Sequence, residues 1–356
     1  MRESPSSFAA LMALQRLDDT EVNKSSSDPE RIEQFQSLAA PYPPGLGNRA
    51  FGGHVYAQSA YAASKTVEKG FVIHAITGSF IVGGRLDIPY IYTIRHVRDG
   101  YMYSTRAVDA RQDGKICFSC LCSFKRDEGF QDYQHQPPAV QDRYRDILSA
   151  KRPEEQDISH SVDVDWWIEA ADKGDITEKK FPGLDVRKVD MQNFNKSEEI
   201  KSNPEKYRQL MHYCLKGSPD EQADATLEEI RERELAGEYD NLYACAHMYA
   251  SDKNSLLLIP RALGFTRWAE MGSLSLTVIV HRHGNPLRMI DWDAVSKNGD
   301  SSLQMKWFIQ EGWSPQSAEN RVVHESHLWN HDGKLIATSM QDGMLRVQKL
   351  SSRGKL

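Results

Sequence analysis

Small and apolar residues dominate two separate stretches of the chain, residues 51–64 and residues 242–249. Each is long enough for roughly two or three turns of helix, and many small side chains let a helix pack closely against a surrounding sheet. A carboxylate, Asp252, follows the second stretch and precedes an apolar run at residues 256–259. A carboxylate in such surroundings is costly unless it is paired, hydrogen-bonded or used in chemistry. Asp252 is therefore the first candidate functional residue.

Strand-like runs follow each predicted helix. Gly-Gly and Asp-Gly turn signals separate the runs of the first half, and Asp-Gly between such runs is a strong hairpin signal. One long helix followed by an antiparallel meander is an α+β unit. The predicted strands are residues 72–82, 90–97, 101–110 and 115–125 in the first half and residues 273–283, 304–310, 320–330 and 334–340 in the second.

The two halves also share a hairpin motif. Gln112-Asp-Gly-Lys-Ile116 matches His331-Asp-Gly-Lys-Leu335 in type and place, 219 residues later (from 112 to 331). We interpret this as two copies of one helix-plus-sheet unit joined by a long linker. In the same register Cys122 corresponds to Gln341, so an amide replaces a small residue at the end of a largely apolar strand. Gln341 is the second candidate functional residue.

The repeat predicts the division of the chain. We expect a first unit at residues 1–130, a linker at residues 131–180 and a second unit at residues 181–350. The charged stretch near residues 218–238 is expected to be a surface insertion in the second unit.

Composition narrows the classes of function. Hydrophobic residues make up 40% of the chain, enough for a globular core, and the net charge of -6 argues against a nucleic-acid partner. No apolar run approaches the roughly 18 residues of a membrane span. The five cysteines, an odd number, suggest a reducing compartment such as the cytoplasm. Cys117, Cys120 and Cys122 lie on one predicted strand whose side chains alternate between faces, so we expect no metal site there.

Several motifs together resemble the type II acyl-CoA thioesterases, the TesB-like enzymes. The resemblance covers about residues 8–347, in the order of the family. It implies a double hot-dog fold, in which two helix-wrapped antiparallel sheets join edge to edge, and an acyl-CoA substrate with no metal or redox cofactor. The motifs are Phe51-Gly-Gly-His-Val-Tyr-Ala-Gln58, His74 to Phe80, Arg98-Asp-Gly100, Tyr249-Ala-Ser-Asp252 and Ser339-Met-Gln-Asp-Gly343.

The resemblance also implies a catalytic set. In the family an Asp, a Ser or Thr and a Gln hold and activate the hydrolytic water, and these correspond to Asp252, Ser273 and Gln341. The family usually reads Ser/Thr-Leu/Ile-Asp-His from the hydroxyl residue onward, whereas Ser275 and Leu276 stand in place of the Asp and His here. The hydroxyl role could therefore shift to Ser275.

Other residues are candidates for contacts with the substrate. The first helix starts at the glycine pair Gly52 and Gly53, and the free N–H groups of a helix start suit an oxyanion, with those of Gly53 and His54 as the candidates. His54 could stand near the thioester or cap the helix, and His74 could line the site or be a core histidine. The catalytic candidates have ordinary structural alternatives too: a helix cap or turn for Asp252, and polar positions at strand edges or ends for Ser273 and Gln341.

Two further functions remain open from the sequence. Ser275 and Leu276 are consistent with a degenerate hot-dog protein that binds acyl-CoA without hydrolysing it, or with a thioesterase of a specialised pathway. A homo-oligomer is expected, because hot-dog sheets often pair further. The chain ends Gly354-Lys355-Leu356, which is similar to the Ser-Lys-Leu peroxisomal address. We therefore expect a peroxisomal enzyme, with the cytoplasm as the alternative.

Overall fold

The structure is a computed structural model. It describes residues 7–17, 31–45, 47–126, 128, 133–178, 180–220, 222, 224–298 and 302–347. The terminal tripeptide Gly354-Lys355-Leu356 lies outside the described residues.

The described strands form one continuous antiparallel sheet. Its spatial order is β1-β2-β4-β5-β6-β3-β10-β13-β12-β11-β9-β8-β7. The strands are β1 (Leu14–Arg16), β2 (Ile32–Ser37), β3 (Phe71–Phe80), β4 (Ile91–Asp99), β5 (Tyr103–Gln112), β6 (Lys115–Arg126), β7 (Asp157–Ile158), β8 (Leu184–Lys188), β9 (Gln209–Leu215), β10 (Trp268–Val280), β11 (Phe308–Ala318), β12 (Arg321–Trp329) and β13 (Leu335–Val347).

Two long helices occupy the inner face of this sheet, α2 in the first half and α9 in the second. The α-helices are α1 (Phe8–Met12), α2 (Gly52–Ser64), α3 (Val140–Arg143), α4 (Arg145–Leu148), α5 (Asp165–Asp172), α6 (Gln192–Asn195), α7 (Glu198–Ser202), α8 (Leu227–Leu235), α9 (Asp240–Ser251), α10 (Leu258–Ala262) and α11 (Trp292–Asn298). Short 3₁₀ turns lie at Pro153–Glu155, Pro204–Lys206 and Asn285–Leu287.

The halves join through strands β3 and β10, which lie side by side in the middle of the sheet. Thr77 faces Thr277 across this seam, and their hydroxyl oxygens are 3.1 Å apart. Helices α2 and α9 pack directly on each other. Small residues allow a close approach of two helices, and Ala57 and Ala60 of α2 and Ala246 of α9 are fully buried. The two predicted copies therefore share one core.

Three strand predictions in the second half were wrong in their bounds. The strand expected at residues 273–283 is β10, which starts at Trp268 and ends at Val280. The strand expected at residues 304–310 is β11, which starts at Phe308 and continues to Ala318. Its second half is polar and exposed, so it carries little apolar signal, while Met305 forms an isolated bridge with Ile290. Strand β13 extends to Val347, so Gln341 lies inside the strand rather than at its end. Pairing with β10 on one side and β12 on the other sustains β13 beyond the apolar run.

The charged stretch near residues 218–238 contains helix α8, which is mostly exposed but fixed on one face. Ile230 and Glu234 are buried there. The carboxylate of Glu234 accepts hydrogen bonds from the Tyr243 hydroxyl (2.7 Å) and the Trp292 indole N–H (2.6 Å), which ties α8 to α9 and α11. The proposed domain boundaries and the insertion stay predictions.

The three neighbouring cysteines lie on β6, as predicted. Cys117, Cys120 and Cys122 are buried and free, and burial raises the pKa of each thiol. None of the helices in the described part of the chain is long and apolar enough to cross a membrane.

Candidate active site

Asp252 lies at the end of helix α9, where the two halves of the molecule meet. The helix ends at Ser251 and Asp252 is its C-cap residue. The side chain is 7% exposed, and its Oδ1 accepts hydrogen bonds from Gln341 Nε2 (2.7 Å) and Ser255 Oγ (3.3 Å). The carboxylate of Asp252 therefore contacts β13, which is distant in the chain, and does not serve only as a cap of its own helix.

Gln341 joins the other two candidate catalytic residues. It is fully buried on β13, and its Nε2 donates to Asp252 Oδ1 and to Ser273 Oγ, the latter at 2.6 Å. The carboxylate sets the orientation of the amide, because only the NH₂ group can donate to it. Gln341 Oε1 has no hydrogen-bond partner among the described residues. One buried acceptor beside Asp252 and Ser273 thus remains available.

The two candidate serines differ in position. A register irregularity separates Ser273 from Ser275 on β10. Ser273 reaches Gln341, whereas Ser275 lies between Asp342 and Ser79 on the neighbouring strands. The structure brings Asp252, Ser273 and Gln341 together. Ser275 pairs with other residues of the neighbouring strands and does not join this group.

Burial makes the Asp252 carboxyl more basic than an ordinary aspartate. Desolvation raises its pKa from 3.8 to about 6, while hydrogen bonds from Gln341, Ser255 and the backbone of Gly53 favour the charged form. The carboxyl group is therefore mainly ionised at neutral pH and a better proton acceptor than a solvated aspartate. Burial raises the pKa of the nearby Tyr42 and Tyr249 hydroxyls, which stay neutral.

The glycines at the start of α2 allow this helix to approach Asp252. A Cβ at Gly52 would lie 3.4 Å from Asp252 Oδ2, and one at Gly53 would lie 3.1 Å from Asp252 Cβ and 2.6 Å from Phe51 Cε1. The backbone N–H of Gly53 donates to the Asp252 carboxylate. This N–H was expected to be free for an oxyanion, and it is not. Gly52 lines the cavity in front of Asp252.

The candidate histidines lie in other surroundings. The backbone N–H of His54 donates to the Phe51 carbonyl (3.3 Å), and its buried ring is 3.2 Å from the Leu11 carbonyl of α1. Burial lowers the pKa of His54 to about 4. His74 Nε2 lies 2.9 Å from Ser123 Oγ on β6. Neither histidine is among the residues that line the cavity.

A cavity of about 680 Å³ opens in front of Asp252 and Ser273. It falls within the usual size range of small-molecule sites. Its apolar wall includes Phe51, Phe80, Val162, Phe181, Leu256 and Met271, which come from both halves and the linker. A larger cavity of about 1120 Å³, lined by Trp166 and Arg261, does not include the three candidate catalytic residues.

Three polar residues at this site were not anticipated from the sequence. Lys253, Asn254 and Ser255 follow Asp252 directly and are all buried. The sequence signal for them is a run of polar residues beside an apolar segment. Buried polar groups need hydrogen-bond partners, so such a run indicates contacts with another part of the chain.

Matches to known families cover both halves of the chain. Residues 40–125 match the model of the acyl-CoA thioesterase N-terminal domain, and residues 202–345 match that of the C-terminal domain. The chain belongs to the acyl-CoA thioesterase family. The predicted family and enzyme class are thereby confirmed, while the roles of individual residues are not tested by these matches.

Curated relatives and solved structures agree with this assignment. Acyl-coenzyme A thioesterase 8 of Mus musculus is 27% identical over 312 residues, which cover 86% of this chain and 83% of the relative. The Homo sapiens protein of the same name is 27% identical over 316 residues, which cover 86% and 84%.

Among solved structures, acyl-CoA thioesterase II TesB2 from Mycobacterium marinum has a TM-score of 0.60 at 19% identity, covering 96% of this chain and 99% of that one. A hot-dog protein from Alicyclobacillus acidocaldarius has a TM-score of 0.57 at 14% identity, covering 96% and 98%. The predicted double hot-dog fold is confirmed.

Proposed function

We propose that this thioesterase hydrolyses acyl-CoA with a water activated by Asp252, held in place with Ser273 and Gln341. The observation that carries the proposal is the double hydrogen bond of Gln341 Nε2, to Asp252 Oδ1 at 2.7 Å and to Ser273 Oγ at 2.6 Å. Asp252 and Ser273 both face a cavity large enough for an acyl thioester.

In the proposed reaction, the ionised Asp252 takes a proton from water as the water oxygen attacks the thioester carbonyl carbon. The carbonyl oxygen becomes an oxyanion in the tetrahedral intermediate. When the intermediate collapses, the carbon–sulfur bond breaks and the sulfur takes the proton back from Asp252. One water and one acyl-CoA thus give a carboxylic acid and coenzyme A, and Asp252 is ionised again.

Gln341 and Ser273 would orient the water rather than exchange protons with the substrate. Both hydrogens of Gln341 Nε2 are engaged, so its Oε1 is the group that can accept a hydrogen bond from the water. The hydroxyl of Ser273 can turn to meet the same water. Holding the water in the attacking geometry lowers the entropy cost of the attack on the thioester.

The oxyanion would be met at the start of α2. The N–H of His54 is bonded to Phe51, and the backbone of Gly53 interacts with Asp252. Gly52 lines the cavity, and its N–H belongs to the first turn, where helix donors lack partners in their own helix. We therefore assign the oxyanion contact to the Gly52 N–H.

A panel of acyl-CoA substrates with a thiol-reactive reporter tests the proposal. We expect wild-type protein to release coenzyme A, Ser273→Ala to lower kcat, and the matched variant Ser275→Ala to keep the wild-type rate. Binding without thiol release would instead support the non-hydrolysing alternative. Equal losses in the two serine variants would contradict the role given to Ser273.

We also propose that the protein is peroxisomal, because the tripeptide Gly354-Lys355-Leu356 is similar to the Ser-Lys-Leu peroxisomal address. A fluorescent fusion with and without this tripeptide tests the compartment. Loss of a punctate peroxisomal signal on deletion supports the proposal, and a signal unaffected by deletion contradicts it. The expected homo-oligomer stays a prediction, which sedimentation of the full chain can test.

A further inference from the structure

A buried ammonium group follows the proposed general base directly. Lys253 is 2% exposed and lines the same cavity as Asp252. Its Nζ donates to the His160 carbonyl (2.5 Å) and the Ser161 carbonyl (3.3 Å), and lies 5.1 Å from the centre of the Phe181 ring. Burial of a charged group costs free energy unless hydrogen bonds offset the loss of solvent. The two carbonyls that accept from Lys253 are therefore held in place by the same contacts.

Asn254 reaches the same part of the linker. It is 6% exposed and adopts the left-handed backbone conformation, with a φ of 57°. Its Nδ2 donates to Ser159 Oγ (3.0 Å) and to the His160 carbonyl (3.1 Å). Two consecutive side chains after Asp252 therefore bind three consecutive residues of the linker.

Residues 159–162, which we call the wall segment, contribute to one side of the cavity through their last two members. Ser161 and Val162 line it together with Asp252. Val162 also presses on the loop that forms the neighbouring side, because a Cβ at Gly45 would lie 2.8 Å from Val162 Cγ2. His160 lines the larger cavity instead, so the wall segment lies between the two cavities.

Ionic contacts support the wall segment from the other side. Glu178 accepts hydrogen bonds from the Ser161 hydroxyl (2.8 Å) and backbone N–H and lies 2.6 Å from His160 Nδ1. The next residue, Asp163, is held by Lys188 (2.9 Å) and Arg261 (3.1 Å). Lys253 and Asn254 supply the contacts on the Asp252 side.

We propose that Lys253 and Asn254 are positioning residues that hold the wall segment in place, and that the wall segment shields Asp252 from bulk water. This inference rests on the proposed function, because turnover is used to report the ionisation of Asp252. It assigns a role to two residues outside the water-holding set.

The physical link is desolvation. Burial is the largest cause of the raised pKa of Asp252, so admitting water would move the pKa from about 6 back toward 3.8. Tyr42, Tyr56 and Tyr249 face Asp252, but burial raises the pKa of each hydroxyl far above this range.

Lys253 is the titratable residue next to Asp252 in the chain, and Arg49 and Lys180 also line the cavity. Burial lowers the pKa of Lys253 to about 7, while Asp163 and Glu178 act in the opposite direction. His160 faces the same cluster through its contact with Glu178. Asp252 is the group in this cluster that takes the proton from water, so its titration would set an acid limb near pH 6.

Two variants loosen the wall segment without touching the water-holding set. Asn254→Gly removes both side-chain hydrogen bonds and keeps a residue that tolerates positive φ. Lys253→Met removes the ammonium contacts. Asn320→Gly is the matched control, because Asn320 also has a positive φ (60°) and lies on an exposed turn.

The first measurement is kcat/KM against pH from 4 to 8. We expect the midpoint of the acid limb to fall by about one unit or more in Asn254→Gly and Lys253→Met, in the direction given by renewed hydration. Asn320→Gly should match the wild type. An unmoved limb in both wall-segment variants would overturn the inference.

The second measurement is hydrogen–deuterium exchange of peptides that cover residues 157–164, which does not depend on catalysis. We expect faster exchange in Asn254→Gly than in wild-type and Asn320→Gly proteins, and the milder Ser159→Ala should show the same trend. Unchanged exchange would overturn the inference by itself. The two proposals can fail separately. An acid limb that persists unchanged in Asp252→Asn would refute the proposed base. Faster exchange in Asn254→Gly would still support the role of Lys253 and Asn254.

Discussion

Replacing Gln341 with leucine tests how the site controls the ionisation of Asp252. Gln341 donates to the carboxylate at 2.7 Å, and this hydrogen bond lowers the pKa of Asp252 against the effect of burial. Its loss therefore raises the pKa further. A hydrogen bond to a charged group contributes about 1.5 to 3 kcal/mol. At about 1.4 kcal/mol per unit, the pKa should rise by about one to two units.

This shift has a direct kinetic consequence. A carboxyl group of pKa about 6 is roughly nine-tenths ionised at pH 7, whereas one of pKa about 8 is roughly one-tenth ionised. The acid limb of kcat/KM, which reports the free enzyme, should move to higher pH in Gln341→Leu. The plateau rate at high pH should also fall, because the water loses a partner.

The assay is thiol release from one acyl-CoA between pH 4 and 9. Gln112→Leu is the matched control, because Gln112 is also buried and donates to the carbonyls of Arg85 (3.0 Å) and Ile88 (2.6 Å) in the first half. It should lose stability but keep the wild-type limb. A limb that stays in place or moves to lower pH in Gln341→Leu would refute the reasoning.

Three further outcomes are expected. Asp252→Asn should raise the melting temperature at pH 7. The pKa of Asp252 is about 6 in the folded protein and 3.8 as an ordinary aspartate, so its ionisation destabilises the fold as the pH rises from 3.8 to 6. The gain should vanish below pH 4, and an equal gain at pH 3 would contradict this cause. Gly53→Ala should lower kcat, because the added Cβ would crowd Phe51 and Asp252. Gly47→Ala should keep the wild-type kcat, because the space around Gly47 is open. Equal rates for the two variants would argue against close packing of Gly53 on Asp252. A chelator should leave thiol release unchanged, and a loss restored by metal would contradict the metal-free mechanism.

The repeat made much of the fold and site predictable. Two small-residue helices and the matching Asp-Gly hairpins indicated two copies, and the register between them selected Gln341. The choice between Ser273 and Ser275 depends on a β-bulge in β10, which has no clear local signal. The position of β13 in mid-sheet likewise explains why Gln341 lies inside a longer strand.

Other features depend on contacts between distant segments. The ring of His54 is turned toward the Leu11 carbonyl because α1 packs on α2, which periodicity cannot reveal. Lys253 and Asn254 bind a segment more than 90 residues earlier in the chain, through carbonyls that any sequence would supply. Such contacts follow from tertiary packing rather than from local residue pattern.

Comparison of wild-type protein with Asp252→Asn is the most direct test of water activation by this carboxylate. Asparagine keeps the shape of the side chain but cannot accept the proton, and general-base catalysis contributes about 10²- to 10⁴-fold. We expect kcat/KM for acyl-CoA at pH 7 to fall within that range and the acid limb near pH 6 to disappear. A folded Asp252→Asn protein that keeps both the wild-type rate and the limb would contradict the role of Asp252.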